Sequence, residues 1–202
     1  MTIHVSDRKM IEAQSLAQLF TDARTHNAFL DKPVSEELLR KAIELAKMGP
    51  TSANQSPMRV LFLRSPAAKE RLRPALSPGN LDKTMAAPVV AITAFDEQFY
   101  EHLPYLFPHA DAKAWFAGDP VKAARAAFQN GTLQVAYLII ALRAVGLDTG
   151  PMTGFDNAKV DAEFFPEGHV KSNVLINIGY GDHEKLFPRS PRFSFDQIAK
   201  IL

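Results

Sequence analysis

The fold is decided by Asp119–Gly146, which reads DPVKAARAAFQNGTLQVAYLIIALRAVG. Asp119 and Pro120 form a typical helix start, because Asp caps the first free N–H groups and Pro occupies a position where no N–H is needed. The final glycine ends the pattern, so we predict a helix over Pro120–Val145. Its second half, Leu133–Leu142, is apolar on nearly every face and must be buried all round. A domain of this size can hardly surround it alone, so we expect a second subunit to cover part of this helix.

Shorter elements are predicted on both sides of this helix. Ser35 and Ser65 are preferred N-cap residues that stand directly before predicted helices. Val34 and Leu39 are spaced to form a hydrophobic staple across Ser35. We predict helices over about 7–23, 36–48, 66–74, 80–86 and 156–164, a short helix after Ser194, strands over 58–64, 89–95 and 173–180, and a loop over 146–154. This helix-rich pattern with few strands is typical of an α+β domain. We treat residues 1–202 as one domain with a C-terminal arm over 182–202.

Composition excludes several classes of function. The chain has 202 residues, with 23 Lys and Arg against 22 Asp and Glu, so its net charge is +1. No long run of one charge is present, and we expect no nucleic-acid partner. No apolar run approaches the ~20 residues that span a bilayer and no secretory signal begins the chain, so we expect a soluble, cytoplasmic protein without a membrane partner. With no cysteine, disulfides, iron–sulfur clusters and thiolate nucleophiles are excluded.

Familiar catalytic motifs are also absent. The chain has no G-x-S-x-G, H-E-x-x-H or G-x-x-x-x-G-K-[ST] pattern. Gly179-Tyr-Gly181 follows a predicted strand but lacks the third glycine of a dinucleotide fingerprint. The six histidines show no ligand spacing on one element, so we expect no metal site. A bound organic cofactor is then the simplest source of reactivity.

Five segments carry polar or conformationally permissive residues beside the ends of predicted helices. They are 22–27, 49–57, 80–83, 146–154 and 188–192. The fourth holds three glycines at a spacing of four residues, which suits a backbone that approaches a flat ligand closely. The last holds two arginines between prolines. Each segment alone also fits a helix end, a turn or a solvated surface.

Six stretches, in this order and over nearly the whole chain, resemble the FMN-dependent nitroreductase family. They are LFTDARTHN at Leu19–Asn27, KMGPTSANQSP at Lys47–Pro57, LSPGNLDKTMAAPV at Leu76–Val89, LPYLFPHADAKAWF at Leu103–Phe116, GLDTGPMTGFD at Gly146–Asp156 and KSNVLINIGYGD at Lys171–Asp182. The nearest branch is typified by the malonic semialdehyde reductase of pyrimidine catabolism (RutE/HadB-like). The resemblance implies helices around a small central mixed sheet and an intertwined homodimer that binds FMN in clefts at the dimer interface.

The resemblance also implies which residues bind FMN. The residues expected at the phosphate are Arg24, Thr25 and His26. The others are the lip, Pro50, Thr51, Ser52 and Asn54; the ring pair, Asn80 and Lys83; the turn, Thr153 and Gly154; and the tail arginines, Arg189 and Arg192. Arg24, Thr25 and His26 and the tail arginines are expected to bind the FMN phosphate. The lip is expected to come from the other subunit. The ring pair faces the pyrimidine end of the flavin, and the turn offers backbone groups near N5 and O4.

Catalysis is expected to rely on FMN, so no catalytic side chain is assigned and Lys83 gives electrostatic support to the reduced ring. NADH or NADPH is the expected reductant, and no motif in the chain separates them. The aromatic stretch Phe99–Phe116 is expected to form the substrate wall, with Phe107, His109 and Trp115 as its main residues. Reduction of malonic semialdehyde is the first expectation. A nitroreductase or quinone reductase, a flavin-binding protein without turnover and an interaction module are the alternatives.

Two positions depart from the family pattern. Many nitroreductases have a second basic residue four positions after the first arginine, and this chain has Ala28 there. Lys83 is then expected to be the cation near flavin N1. Many also have Glu in the turn, where this chain has Thr153.

Overall fold

A computed structural model describes residues 9–202. Its helices are α1 (Ala13–Leu16), α2 (Glu36–Ala46), α3 (Pro66–Leu72), α4 (Pro78–Ala86), α5 (Leu103–Leu106), α6 (Pro120–Ala144), α7 (Asn157–Phe164) and α8 (Phe195–Ile198). Its strands are β1 (Met58–Leu63), β2 (Val89–Asp96), β3 (Asp148–Met152) and β4 (Val170–Gly179). Helices around a small sheet give the α+β fold that the sequence predicts.

The predicted helix starts are confirmed by their capping contacts. The Ser35 side chain accepts a hydrogen bond from the Leu38 N–H at the start of α2. At the start of α6, Asp119 Oδ1 accepts from the Lys122 N–H at 3.0 Å. Each cap joins residues three positions apart, which is why local sequence could predict it.

The first helix is shorter than predicted. Its expected start at Asp7 lies outside the described residues, and residues 9–12 are not helical. The described helix comprises α1 and a π-helical turn over Ala17–Thr21. Met10 and Ile11 are exposed, so no packing supports a longer helix, and short helices are marginal without such support.

The sheet has the order β1-β2-β4-β3, and each neighbouring pair is antiparallel. The expected mixed sheet is therefore wrong in this detail. Parallel pairing among residues 9–202 is confined to one isolated bridge between Thr25 and Thr149. Strand β3 replaces the predicted loop over 146–154. Gly150 and Pro151 conceal it in the sequence, and Pro is tolerated here because β3 is an edge strand.

Helices pack on both faces of the sheet. On one face, α2 and α6 form a buried cluster that contains Leu39, Ala42, Val135, Leu138, Leu142, Ala91, Ile176 and Ile178. On the other face, α3 and α7 pack on β2 and β4 in a cluster that contains Leu72, Val160, Val90, Ile92 and Leu175. Every residue of β2 is buried, since this strand lies inside the sheet and between the two helical layers.

The long helix α6 is only partly covered by its own chain. Leu138 and Leu142 are fully buried, as the apolar sequence requires. Leu133 is 42% exposed, Ala136 is exposed and Ile140 is half-buried, and these three residues share one face at i, i+3 and i+7. None of the described helices is long and apolar enough to cross a membrane.

The aromatic stretch divides into core and surface. Phe99 and Phe116 are buried and pack with Leu103 and the first turns of α6, so the expectation that the whole stretch forms a substrate wall is wrong for these two residues. Their rings meet edge to face with centroids 5.0 Å apart. Tyr105 and Trp115 remain exposed.

Candidate functional site

A cleft of about 610 Å³ lies between the segment after α1, the end of α6 and the C-terminal tail. Four guanidinium groups line it, from Arg24, Arg143, Arg189 and Arg192. The other lining residues are Phe20, Thr21, Ala23, Thr25, Asn27, Phe187, Pro188 and Ser190. No Asp or Glu of residues 9–202 is among the lining residues, so the lining is positively charged, which favours anions.

Reciprocal hydrogen bonds join the tail to the segment after α1. Arg24 Nη2 donates to the Phe187 carbonyl, and Arg189 Nη2 donates to the Ala23 carbonyl at 3.2 Å. Arg192 donates to the carbonyls of its neighbours Ser190 and Pro191. Within residues 9–202 none of these arginines forms a salt bridge with a carboxylate. No carboxylate of the described chain is therefore in direct contact with them.

Arg143 belongs to this cleft and was missed from the sequence. Its Nη1 donates to the Leu19 carbonyl at 3.0 Å, while its Nε is buried without a hydrogen-bond partner. Burial lowers the pKa of Arg143, Asp148 raises it and Arg189 lowers it again. The guanidinium nevertheless stays charged at neutral pH. A cation in the last turn of an apolar helix is the signal that could have revealed it.

A second polar group adjoins the cleft through Asn27, which sequence analysis did not single out. Asn27 lines the cleft, and its Oδ1 accepts from Lys83 Nζ at 3.2 Å. On the same helix, α4, Asn80 Nδ2 donates to the Gly154 carbonyl at 2.9 Å. A Cβ on Gly154 would lie 2.4 Å from Asn80 Nδ2, so this contact requires glycine. The exposed Thr153 precedes it.

The position of α4 is held from its C-terminal end. Lys69 Nζ, from α3, donates to the carbonyls of Met85 and Ala87, both at 2.8 Å. These carbonyls are free at a helix C-terminus, where a cation is favourable. The pKa of Lys69 is lowered by its burial. The contact fixes α4 and with it the ring pair.

His26 is placed differently from its neighbours. Thr25 is exposed and Arg24 reaches the cleft, but the His26 side chain is 1% exposed and packs against Gly181. The segment is extended beside β3, where the His26 N–H donates to the Thr149 carbonyl at 3.0 Å, and successive side chains then point in opposite directions. The structure thus places His26 inside the protein, and its side chain does not line the cleft.

The lip lies at the opposite end of the sheet. The Ser52 N–H donates to Asn130 Oδ1 at 2.9 Å, and Asn130 Nδ2 donates to the buried Gln55 at 3.0 Å. Asn130 and Arg143 are thirteen residues apart on α6, which separates the lip from the cleft by about 20 Å. Pro50, Thr51, Ser52 and Asn54 are therefore not brought to the arginines within one chain.

The lip has an unusual backbone. Ala53, Asn54 and Ser56 have φ angles of 46°, 49° and 43°, a region that side chains other than glycine rarely adopt. The Ser56 N–H donates to Thr51 Oγ1 at 3.1 Å, which helps to hold the strained turn. Such strain persists where surrounding contacts enforce it, and it clusters at binding sites.

The expected substrate-wall residues form a small surface cluster beside the lip. Asn54 Nδ2 donates to the Leu106 carbonyl at 2.8 Å. The Phe107 ring lies 5.5 Å from His109 and 6.1 Å from Trp115 between centroids. Phe107 is half-buried and the other two are exposed. These three side chains are thus grouped with the lip and not with the arginine cleft of the same chain.

Comparison with known proteins places this arrangement in one family. The sequence pattern of the nitroreductase family matches residues 21–180. A Burkholderia lata protein, provisionally named NADH dehydrogenase/NAD(P)H nitroreductase, is 62% identical over 187 residues, which cover 93% of this chain and 96% of that protein. A protein of the same provisional name from Xanthomonas oryzae is 60% identical over 95% of this chain and 97% of its own.

Solved structures agree in fold. A protein from Exiguobacterium sibiricum, provisionally named a nitroreductase and solved in complex with FMN, is similar with a TM-score of 0.81 at 18% identity, over 96% of this chain and 99% of that one. A nitroreductase family protein from Streptococcus pneumoniae has a TM-score of 0.79 at 25% identity, over 93% of this chain and 100% of that one. From the family match and these relatives, the chain belongs to the nitroreductase family.

Proposed function

We propose that this nitroreductase-family protein is an FMN-dependent NAD(P)H oxidoreductase. The observation that carries the proposal is the cleft with four guanidinium groups and no carboxylate of residues 9–202, joined through Asn27 to Lys83. FMN pairs a phosphate of nearly two negative charges with a flat ring, and the cleft and the adjoining α4 offer groups for both. The provisional names of the 62% and 60% identical relatives support NADH or NADPH as the reductant.

The residues fit the phosphate of this cofactor. Arginine presents several N–H donors in a planar fork and binds phosphate in a bidentate way. Arg24, Arg189 and Arg192 retain donors beyond those that bind backbone carbonyls, and Arg143 Nε has no partner among residues 9–202. The Arg143 guanidinium adds its positive charge to the same cleft.

Asn80, Lys83 and Gly154 fit the flat, amide-like edge of the flavin ring. Asn80 donates to the Gly154 carbonyl, and the absence of a Cβ at Gly154 leaves room for the Asn80 amide, which the proposal places at the edge of the flavin ring. When bound, FMN would supply hydride transfer between nicotinamide and substrate. Lys83 would hold a positive charge beside the edge of the ring that gathers negative charge on reduction. The chain's role is then to bind, orient and electrostatically stabilise the cofactor.

We further propose that two copies of the chain complete each site. The lip and the substrate-wall residues lie about 20 Å from the arginines of their own chain along α6, so a second copy must supply them if they contact the same FMN. The open face of α6, with Leu133, offers an apolar surface for such a copy. The arm over 182–202, which ends in the exposed Ile201 and Leu202, offers another.

The finer proposal concerns the substrate. The six stretches that resemble the malonic semialdehyde reductase branch favour reduction of a small aldehyde, malonic semialdehyde to 3-hydroxypropanoate. A nitroarene or quinone reductase is the second candidate, favoured by the relatives' names. Phe107, His109 and Trp115 would contact the substrate in either case and determine which substrate fits.

A steady-state panel tests both levels. Purified protein with FMN is assayed with NADH and with NADPH against malonic semialdehyde, a nitroarene and a quinone. A kcat/KM for the semialdehyde at least ten-fold above the others supports the finer proposal, and the reverse order supports the second candidate. A yellow protein that oxidises neither nicotinamide is a flavin-binding protein without turnover, and a colourless protein that gains no FMN refutes the proposal.

A further inference from the structure

Three side chains from distant parts of the sequence meet beside the cleft. His26, Asp148 and His183 each offer one ligand atom, and these atoms all lie within 4.8 Å of one another. His26 Nε2 is 3.6 Å from Asp148 Oδ1. The two histidine rings meet edge to face with centroids 5.1 Å apart. Among residues 9–202 this is the group of three that could hold a metal ion.

His26 is buried without the hydrogen bonds that a buried imidazole needs. Its side chain is 1% exposed, and neither Nδ1 nor Nε2 has a hydrogen-bond partner within the described chain. A buried polar atom without a partner costs about 1–3 kcal/mol. A cation bound at Nε2 would satisfy the nitrogen that faces Asp148.

The surroundings fix the positions of the ring and of the carboxylate. The His26 ring packs against Gly181, where an added Cβ would lie 2.2 Å from Nδ1. Asp148 Oδ2 accepts from the Gly181 N–H at 2.8 Å, which leaves Oδ1 toward the imidazole. A hydrogen bond that holds a ligating carboxylate in place is typical of metal sites.

Burial lowers the pKa of the His26 imidazole, and the nearby Asp148 carboxylate opposes this effect.

We propose that His26, Asp148 and His183 bind a divalent first-row cation of the Zn²⁺ type. Two imidazoles and one carboxylate suit zinc better than calcium or magnesium, which prefer oxygen ligands. Ligand bonds of about 2.0–2.2 Å place tetrahedral donors about 3.4 Å apart, close to the spacing of His26 and Asp148. His183 is exposed, and its side chain is free to close the remaining gap.

Such an ion would fasten the base of the C-terminal arm. His183 lies in the 3-10 turn His183–Lys185, which leads into the tail that carries Arg189 and Arg192. The buried His26 belongs to the segment after α1, and Asp148 is the first residue of β3. The ion would therefore join the arm to the sheet next to the arginine cleft.

Titration calorimetry tests the site on tag-free protein with FMN, treated with a chelator and dialysed. We expect one Zn²⁺ per chain and no comparable binding of Mg²⁺. His183→Ala and Asp148→Asn should each weaken Zn²⁺ binding about ten- to a hundred-fold. The amide oxygen of Asn can still accept from the Gly181 N–H, and His183 is exposed, so both variants should fold. Circular dichroism checks this.

His169→Ala is the matched control. His169 Nε2 lies 4.0 Å from Asp96, which already pairs with Arg59, so this His–Asp pair has no free carboxylate to offer and the variant should bind Zn²⁺ as the wild type does. The proposal is overturned if the wild type binds no Zn²⁺, if Mg²⁺ binds equally well, or if His183→Ala and Asp148→Asn both leave binding unchanged. In these cases His26 and Asp148 form a side-chain pair without a bound metal. The result does not depend on turnover, so it stands apart from the proposed reductase activity.

Discussion

The two ends of the sheet carry different kinds of chemistry. At the end formed by the start of β3 and the end of β4, cationic side chains from distant segments surround an open cleft. At the other end, before β1, the lip has a strained backbone fixed by Asn130, with exposed aromatic rings beside it. The first end resembles an anion site and the second a lining for a flat or apolar ligand. In the proposed function, a second copy of the chain brings the two together.

The long helix α6 keeps the two ends of the sheet apart within one chain. Both contact α6, but at Asn130 and at Arg143, about 20 Å apart along the helix. A rigid helix of 25 residues keeps them apart in one chain. The same helix has an open apolar face, which is the surface that we propose for a second copy of the chain.

The largest expected effect comes from the open face of α6. Leu133→Glu should weaken self-association by about 3 kcal/mol or more, roughly a hundred-fold in dissociation constant, because it places an unpaired charge in an apolar interface. Sedimentation of the wild type and the variant measures this. Leu138→Ala is the control: Leu138 is fully buried, so it should lose about 2–5 kcal/mol of unfolding free energy and still associate. A Leu133→Glu variant that sediments like the wild type would contradict the interface.

The cationic end is tested through FMN retention. Arg24→Ala and Arg192→Ala should each cost about 1.5–3 kcal/mol of binding free energy, roughly ten- to a hundred-fold in affinity, because each removes a charge-assisted partner of the phosphate. Fluorescence titration of the flavin-free protein measures the affinity. Arg73→Ala removes the same charge from the surface, where Arg73 pairs with Glu70, and should retain wild-type affinity. Full flavin occupancy in both cleft variants would refute the phosphate assignment.

Lys83 should affect reduction more than binding. Lys83→Met should lower the reduction potential of bound FMN and slow its reduction by NAD(P)H roughly ten-fold, about 1–2 kcal/mol after solvent screening, because a cation stabilises the ring only when negative charge develops. Spectroelectrochemistry and stopped-flow measure the two quantities. Lys41→Met, on the exposed side of α2, is the control. An unchanged reduction potential in the Lys83→Met variant would show that Lys83 is a surface lysine that does not stabilise the reduced flavin.

The aromatic end should determine substrate preference. We expect His109→Ala and Trp115→Ala to change the ratio of kcat/KM between an aldehyde and a nitroarene severalfold while flavin content stays the same, because these exposed rings have no core role. Phe99→Ala is the control. Phe99 is buried in the core, so this variant should lose about 3–5 kcal/mol of unfolding free energy. Loss of flavin and fold in all three variants would show that the stretch is core throughout.

The smallest effect is expected in the lip. Ala53→Gly should change the unfolding free energy by less than about 1 kcal/mol, because relief of the positive φ offsets the greater freedom of glycine in the unfolded chain. Ala42→Gly, in the buried interior of α2, should be more destabilising, because glycine has a lower helix propensity than alanine and the change removes a buried methyl group. Urea unfolding compares them. A larger loss at Ala53 would mean that its methyl group stabilises the lip.

The sequence by itself determined the local elements of this protein. Caps at Ser35 and Asp119 bond to N–H groups three residues later, and the burial of Leu138 and Leu142 follows from the spacing of apolar residues along one helix. The family resemblance likewise depended on six short stretches that occur in the family's order along the chain. These features were predictable because each depends on residues close together in the chain.

Only the tertiary structure decided which distant residues meet. β3 is a strand because β4 offers its hydrogen bonds, although Gly150 and Pro151 favour a loop. Arg143 joins the cleft because the tail and the segment after α1 fold against the end of α6. His26 turns inward toward Asp148 and His183, from parts of the sequence with no common spacing. Such encounters depend on how helices and strands pack, and packing is a property of the whole chain that no local pattern contains.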